Sequence, residues 1–338
     1  MKKLVQLIMC VLLCGCTTVS QEEVVQKEPQ VVKTDITINI VGDITLGNFA
    51  GMSYNRSFDQ LYNKNKDKDY FFKNVKPLFE KDDLTIGNLE GTLTNAKSHV
   101  DKSYPFKGLP EYAEILKSGD FEIMSIANNH SSDYFEKGRE DTKHNLEKQG
   151  IDYFGYEKTL IKEVKGKKIG LIGYSFASNR YVPSEIKNKV TKSIQKIKDE
   201  TDVIIVYYHW GMMYETTPTD SQVDFAHYTI DQGADLVVGT HPHIIQGMEI
   251  YKGKNIIYSL GNFCYGGNLN PKDIDSMIYQ QTFSFEDDQL VDTSYKVIPA
   301  VMSSHENKNR NNFQPKILKG NEKERWEKKF KKYSEQIR

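Results

Sequence analysis

Short apolar runs, each long enough for one β-strand, recur along this chain and alternate with segments of helical periodicity. The runs cover residues 84–86, 123–127, 169–172, 203–208, 236–238 and 256–259. Helical spacing occurs in segments 112–117, 135–149, 184–199 and 221–232. This alternation predicts an α/β fold around a largely parallel sheet. Several runs contain no polar position, as expected where both faces of a sheet are covered.

Both ends of the alternating region depart from this pattern. The β-branched run 37–41 predicts that order begins near Thr37, and segments 277–285 and 289–298 predict a hairpin. We therefore expect one domain over residues 36–304. Residues 305–338 form a charged tail that we expect to be helical, with one apolar edge and a solvated charged face.

The N-terminus has the features of an export signal. Residues 1–3 read Met-Lys-Lys, and the following apolar stretch is shorter than the roughly 20 residues that span a bilayer. The stretch ends in Leu-Cys-Gly-Cys at 13–16, which resembles a bacterial lipobox, although an ordinary secretory signal with an incidental cysteine is the alternative. We expect residues 1–15 to be removed and Cys16 to carry diacylglycerol. Two lipid chains would anchor the protein to the extracytoplasmic face of the cell membrane.

Composition limits what the exported part can be. Residues 16–35 are polar and predict a flexible tether. The hydrophobic fraction of 38% suits a globular domain, and the formal net charge of −1 provides no global field for binding nucleic acid. Beyond Cys16 the only cysteine is Cys264, which we expect to be a small buried side chain.

Five polar clusters end or directly follow a predicted strand. In open α/β sheets, sites form beyond the carboxyl ends of the strands, so we expect these clusters to meet. Their carboxylates, imidazoles and amide oxygens are ligands for zinc, manganese or iron. Taken singly, each cluster also fits a turn, a cap or a core histidine. The clusters are Gly42-Asp43, Asn88-Leu89-Glu90-Gly91, Asn128-Asn129-His130, His209-Trp210-Gly211 and Gly239-Thr240-His241-Pro242-His243.

Other polar residues have less specific settings. Lys107 lies in the segment 105–108, where it is either a surface lysine or a contact for a negatively charged substrate. The four remaining histidines lie in loops, predicted helices or the tail, and we expect surface or structural roles for them.

Together with the segment Tyr258-Ser259-Leu260-Gly261-Asn262-Phe263, these clusters resemble the CapA family of poly-γ-glutamate capsule proteins, in order from about residue 36 to residue 300. That family is similar to the calcineurin-like metallophosphatases. The resemblance implies an α/β sandwich of two mixed β-sheets flanked by helices, with one or two divalent ions (manganese, zinc or iron) at one edge.

The resemblance also implies roles for individual residues. Asp43 matches a ligand of the first metal, Glu90 the bridging carboxylate, and Asn129 and His209 ligands of the second metal. His241 and His243 match paired ligands, one for each metal, and His130 matches the proton donor to a leaving group. We add Asn88, Asn128, Lys107 and Asn262 as candidate substrate contacts.

The first motif departs from the metallophosphatase pattern. Metallophosphatases have Asp-x-His there, whereas this chain has Asp43-Ile44-Thr45, and their bridging ligand is usually Asp. Whether the protein is an enzyme is therefore open. Three hypotheses remain. In the first, the protein is a lipoprotein that acts in synthesis, transport or attachment of an anionic γ-glutamyl polymer together with membrane-bound synthase subunits. The second is an extracellular metallophosphoesterase with a phosphate-containing substrate, and the third is a non-enzymatic polymer-binding or scaffold subunit.

Overall fold

A computed structural model describes residues 31–156 and 158–337 of the chain. The predicted signal segment 1–15, the predicted lipidation residue Cys16 and most of the predicted tether 16–35 lie outside the described residues. Within the described ranges, no helix combines the length and the apolar character that crossing a bilayer requires.

The described residues form 17 strands and seven α-helices. The strands are β1 (Lys33–Thr45), β2 (Asn48–Phe49), β3 (Leu84–Leu89), β4 (Thr92–Leu93), β5 (Phe106–Gly108), β6 (Ile123–Ser125), β7 (Asp152–Phe154), β8 (Leu160–Val164), β9 (Lys167–Ala177), β10 (Val203–Gly211), β11 (Leu236–Thr240), β12 (Met248–Tyr251), β13 (Lys254–Ile257), β14 (Asn262–Tyr265), β15 (Asp275–Glu286), β16 (Gln289–Val301) and β17 (Lys316–Ile317). The helices are α1 (Phe58–Asn65), α2 (Lys76–Phe79), α3 (Ala113–Ser118), α4 (Phe135–Lys148), α5 (Ser184–Ile197), α6 (Asp220–Asp231) and α7 (Gly320–Glu335).

Two large mixed sheets each combine a run of parallel strands with antiparallel strands at one or both edges. The larger sheet has the order β17-β16-β15-β1-β3-β6-β7, with β14 paired to the end of β1. The second sheet has the order β12-β13-β11-β10-β9-β8, and β2, β5 and β4 form a small third sheet. Strands β1, β3, β6 and β7 run parallel, as do β9, β10, β11 and β13. Neighbouring strands within each parallel run therefore end at the same sheet edge.

Alternating side chains build the core between the two sheets. Ile38 and Ile40 of β1 share one buried cluster with Ile205 and Tyr207 of β10. The intervening residues of β10, such as Val206, point to the opposite face, where they pack against α5 and α6. This period of two is what a strand buried on both faces requires.

Helices cover the outer faces of both sheets. On α5 the buried residues Ile186, Val190, Ile194 and Ile197 recur every three or four positions, which gives one apolar stripe. Helix α6 begins at a capping box in which the Thr219 side chain accepts from the backbone of Gln222. The predicted α/β sandwich of two mixed sheets flanked by helices is confirmed.

The ends of the domain differ in detail from the predictions. Strand β1 begins at Lys33, before the expected start near Thr37, because Lys33 already pairs with Glu286 of β15. The expected hairpin is confirmed as β15 and β16. Cys264 is free and buried, as expected.

The charged C-terminal segment packs against the domain. Helix α7 buries Trp326 completely, and the Trp326 indole N–H donates to the carbonyl of Ser276 at 3.0 Å. Arg325 and Lys329 bind the Asp275 carboxylate at 2.5 and 2.8 Å. The apolar edge and these ion pairs together hold α7 on the larger sheet.

Candidate functional site

The polar clusters at the strand ends meet at one edge of the sandwich. In the larger sheet, Asp43 on β1 pairs in register with Asn88 on β3 and with Asn262 on β14. In the second sheet, His209 on β10 pairs with Thr240 on β11. His209 Nδ1 lies 3.6 Å from Asp43 Oδ1. The carboxyl ends of strands from both sheets therefore contribute to one buried site.

The Glu90 carboxylate lies at the centre of this site. It is fully buried, and neither carboxylate oxygen has a hydrogen-bond partner among the described residues. Three imidazoles surround it: His209 Nε2 at 3.5 Å, His130 Nε2 at 3.7 Å and His243 Nδ1 at 3.9 Å. Burial, followed by the nearby charge of Asp43, raises the pKa of Glu90 to about 8. A buried carboxylate without donors is costly unless a cation balances it.

The donor set fits a divalent cation. Ligand atoms of Glu90, His241 and His243 all lie within 4.8 Å of one another. Asp43 Oδ2 adjoins them at 3.4 Å from His243 Nδ1. Carboxylate and imidazole donors without thiolates suit zinc, manganese or iron. Glu90, His241 and His243 are therefore a candidate metal-binding triad, with Asp43 beside it.

The imidazoles differ in their protonation. Burial lowers the pKa of His209 well below its usual value, and the neighbouring His241 and His243 lower it further. Burial and His243 lower the pKa of His241 to about 3. Burial also disfavours the charged form of His243, but Glu90 and Asp43 outweigh burial and raise its pKa to about 9. His209 and His241 are thus neutral lone-pair donors, whereas His243 holds a proton that a cation would replace.

Hydrogen bonds fix the rings of His209 and His241. His209 Nε2 lies 2.7 Å from Asn129 Oδ1, and His209 Nδ1 lies 3.0 Å from Thr240 Oγ1. His241 Nε2 lies 3.1 Å from both the backbone nitrogen and the hydroxyl of Ser178. Such contacts orient a metal-binding ring and set its tautomer. Ser178 was not predicted, because its only sequence signal is its place just after β9.

His130 is held by a chain of polar contacts. Its Nδ1 lies 2.7 Å from Asp133 Oδ2, which also accepts from the backbone N–H of Phe106 at 2.6 Å. Lys102 Nζ donates to the other Asp133 oxygen at 2.5 Å and to the Asn129 carbonyl at 3.0 Å. Burial lowers the pKa of His130. The ring is therefore oriented from behind by Asp133, with Nε2 directed at Glu90.

Two predicted substrate contacts are used inside the protein. The Asn88 amide donates to Asp43 Oδ1 at 2.8 Å. The Asn128 amide donates to Asn88 Oδ1 at 3.0 Å and to the Leu89 carbonyl at 2.8 Å, and its oxygen accepts from the His130 backbone at 3.1 Å. These amides connect the loops after β3 and β6 and so position the ligands.

The other two candidate contacts have different settings. Asn262 Oδ1 lies 2.9 Å from His243 Nδ1, and Asn262 lines a cavity of about 620 Å³ that opens beside the centre. Lys107 Nζ donates to the Ala96 carbonyl at 3.0 Å and lies 5.0 Å from the centre of the Tyr134 ring. The structure therefore brings Asn262 to the site, whereas Lys107 contacts the neighbouring loop.

Thr45 stands where the first motif of this chain lacks the histidine of the Asp-x-His pattern. Thr45 Oγ1 donates to the backbone carbonyl of Glu90 at 2.8 Å. The position where metallophosphatases carry an imidazole thus supports the backbone of the central carboxylate. The chain retains the triad without that additional ligand.

The backbone around the site is close-packed and strained. A side chain at Gly42 would place its Cβ 1.8 Å from the carbonyl oxygen of Gly261, so only glycine fits beside β14. His241 and His243 have positive φ angles of 95° and 61° on either side of Pro242. Non-glycine residues in such conformations are costly and persist where the surroundings hold them, often at functional sites.

Comparison with known proteins gives this site a family context. Residues 37–266 match the family described as bacterial capsule synthesis protein PGA_cap. The chain is 30% identical over 249 residues to the PGA biosynthesis protein CapA of Bacillus subtilis (strain 168), with 68% of this chain and 63% of the relative covered. It is 29% identical over 285 residues to the capsule biosynthesis protein CapA of Bacillus anthracis, with 76% of this chain and 66% of the relative covered.

The chain thus spans about two thirds of the length of these two relatives. Among solved structures it is similar to a novel phosphatase from Mycoplasma pneumoniae. The identity is 16% and the TM-score 0.48, and the alignment covers 79% of this chain and 95% of the phosphatase.

The candidate triad predicts that a divalent metal stabilises the protein. At a free metal concentration of about 100 Kd, binding should add about 2.7 kcal/mol to the free energy of unfolding. We expect this gain with at least one of Mn²⁺, Zn²⁺ and Fe²⁺, and its loss in Glu90→Gln and His243→Ala, because each removes a donor. Metal content and thermal unfolding measure both effects.

The exposed histidine of α4 supplies the control for this metal measurement. His144→Ala should leave the stabilisation unchanged, since His144 lies outside the triad. Substoichiometric binding of all three metals, unaffected by Glu90→Gln, would contradict the metal assignment.

Proposed function

This chain belongs to the PGA_cap family of bacterial capsule synthesis proteins, and on that premise we propose that it acts in the synthesis, transport or attachment of a poly-γ-glutamate capsule. The names of the two Bacillus relatives, a PGA biosynthesis protein and a capsule biosynthesis protein, support this role. The proposed place of action is the outer face of the cell membrane, beside membrane-bound synthase subunits.

The strongest structural support for this proposal is the buried Glu90 carboxylate with its surrounding imidazoles. It lies inside the matched region, and so do Asp43, His209 and His243. A scaffold protein would gain nothing from burying a carboxylate without hydrogen-bond donors, because that arrangement reduces stability. A site that holds a cation accounts for the arrangement directly.

The residues of the site would have two roles, metal binding and proton transfer. Glu90, His241 and His243 would hold a divalent ion, and Asp43 and His209 adjoin it. When bound, such an ion polarises an anionic group and lowers the pKa of water. His130, oriented by Asp133, presents Nε2 toward the same point, where it can transfer a proton to or from a bound group.

Capsule formation in cells tests the proposed role. In a capsule-forming strain that lacks its own copy of this gene, wild-type protein should restore surface poly-γ-glutamate, and Glu90→Gln should restore less than about a tenth of it, as expected from the loss of a metal ligand. Immunoblotting for equal protein levels and quantification of surface polymer are the measurements.

Two results of this assay would change the assignment. Full restoration by both Glu90→Gln and Asp43→Ala, with metal binding lost, would favour a non-enzymatic scaffold. No restoration by wild-type protein at normal expression would overturn the capsule role.

Metal-dependent phosphoester hydrolysis is a second candidate, favoured by the His130–Asp133 pair. The pair holds the His130 imidazole with Nε2 3.7 Å from Glu90 Oε1, so the ring faces any group bound at the centre and could exchange a proton with it. The expected result is turnover of a generic aryl phosphate by metal-loaded protein, reduced about 10²–10⁴-fold in His130→Ala with metal binding retained. Absence of turnover by fully loaded wild-type protein would exclude this candidate.

We also propose that Cys16 anchors the protein through diacylglycerol. A lipobox-like sequence precedes it, and two acyl chains suffice for stable anchoring. Wild-type protein should therefore partition into the membrane fraction, whereas Cys16→Ser should be found in the soluble fraction. Cys10→Ser, within the same predicted signal, is the matched control and should remain with the membrane. An unchanged distribution of Cys16→Ser would contradict lipidation.

A further inference from the structure

Two neighbouring cavities lie near the candidate metal centre, and a residue of the candidate triad lines one of them. The inner cavity, of about 620 Å³, is lined by His243, Asn262 and part of the segment 268–273. The outer cavity, of about 210 Å³, is lined by residues around Arg56 and by the segment 310–313. Because His243 belongs to the candidate triad, the inner cavity opens directly onto the metal centre.

Hydrogen bonds join the walls of the two cavities. Arg56, from the outer cavity, donates to Asn270 Oδ1 of the inner cavity at 3.3 Å. Asn311, also from the outer cavity, donates to the carbonyls of Tyr265 and Asn268 at 2.8 and 2.9 Å. The two cavities are therefore adjacent in the fold, and a long ligand that occupies the inner cavity lies beside the outer one.

The linings of these cavities carry exposed cations. Lys272 lines the inner cavity, and Arg56, Lys64 and Arg310 line the outer one. Within the part of the chain that the structure describes, none of the four forms an ion pair. We call these four residues the cation track.

Acidic residues do not balance the cation track. Asp273 is the only carboxylate among the described lining residues of the two cavities, and it binds Lys329 Nζ at 2.6 Å. The whole chain has 45 Lys and Arg against 46 Asp and Glu, so the local excess of positive charge does not follow from a basic composition. Four cations without ion-pair partners along adjacent cavities indicate a site for an extended anion.

We propose that the cation track binds a polycarboxylate chain whose end occupies the metal centre. This inference rests on the proposed capsule function and specifies how the polymer is held. Each exposed cation contributes little alone, so affinity arises from several carboxylates of one chain that bind together. Binding should accordingly strengthen with chain length and weaken with salt.

The walls favour a carboxylate chain over other polyanions. The inner cavity presents the amide side chains of Asn262, Asn268 and Asn270, which can donate to carboxylates and can accept from amide N–H groups of a polymer backbone. The cations line concave cavities, whereas contact with a membrane surface would require them on a convex face.

A binding measurement on the full-length protein tests the cation track. The probe is a fluorescent oligomer of about ten γ-glutamyl residues, followed by anisotropy at low salt. The triple variant R56Q/K272Q/R310Q should weaken binding about tenfold or more, because it removes three of the four charges. The matched control K192Q/K196Q/K328Q removes three exposed lysines from α5 and α7, outside both cavities, and should change binding less than about twofold.

Defined results would overturn the proposal. Equal weakening by the two triple variants would show that only overall charge matters. No binding of the oligomer by wild-type protein would remove the cation track as a polymer site. Binding of polyphosphate or of anionic phospholipid vesicles, with no binding of the oligomer, would assign the cations to a phosphate group. Metal content and surface polymer, measured on the same protein, decide the proposed function separately from these outcomes.

Discussion

The site depends on the Glu90 carboxyl group, which is buried where the strands of both sheets end. Without hydrogen-bond donors this group lowers stability, and three imidazoles within 4 Å do not remove the cost unless one holds a proton. The opposed shifts of the surrounding histidines show the balance that results. His243 retains a proton between Glu90 and Asp43, while His209 and His241 lose theirs. The proposed divalent cation would balance both carboxylates at once, which would account for their placement side by side.

The sandwich supplies the rigidity that such an arrangement needs. The Tyr207 hydroxyl of β10 donates to the Val41 carbonyl of β1 at 2.7 Å, which ties the two sheets together close to Asp43. Below this bond the facing side chains are apolar and almost fully buried. Asp43 and His209 lie instead at the strand ends, where each faces the other. Ligands that lie at strand ends are held more precisely than ligands on long loops.

The alternation of strands and helices and the polar residues at strand ends could be predicted from the sequence, because both depend on the local pattern of apolar and polar residues. Runs such as 203–208 reveal a buried strand by composition, and the residue that follows each run then lies at the sheet edge. The roles of Lys102, Asp133 and Ser178 could not be predicted from the sequence, because they arise from long-range contacts between loops. Lys107 shows the reverse case: an isolated lysine near a motif says nothing about where its ammonium group points. Trp326 could be recognised as an apolar edge but not as part of the inner core.

The departure at Thr45 bears on how many ions the candidate site would hold. Here the side chain hydrogen-bonds the backbone of Glu90, so the first motif stabilises the central carboxylate and adds no imidazole. One triad with an adjoining carboxylate favours a single tightly held ion over a symmetric pair. A single ion suits binding and orientation of an anionic chain end more than the clamping of both oxygens in a displacement at phosphorus. The cavity lined by His243, with the adjacent cavity around Arg56, would then provide space for the rest of that chain. In the proposed function, the metal site and the cation track would hold the same ligand, one at its end and the other along its length.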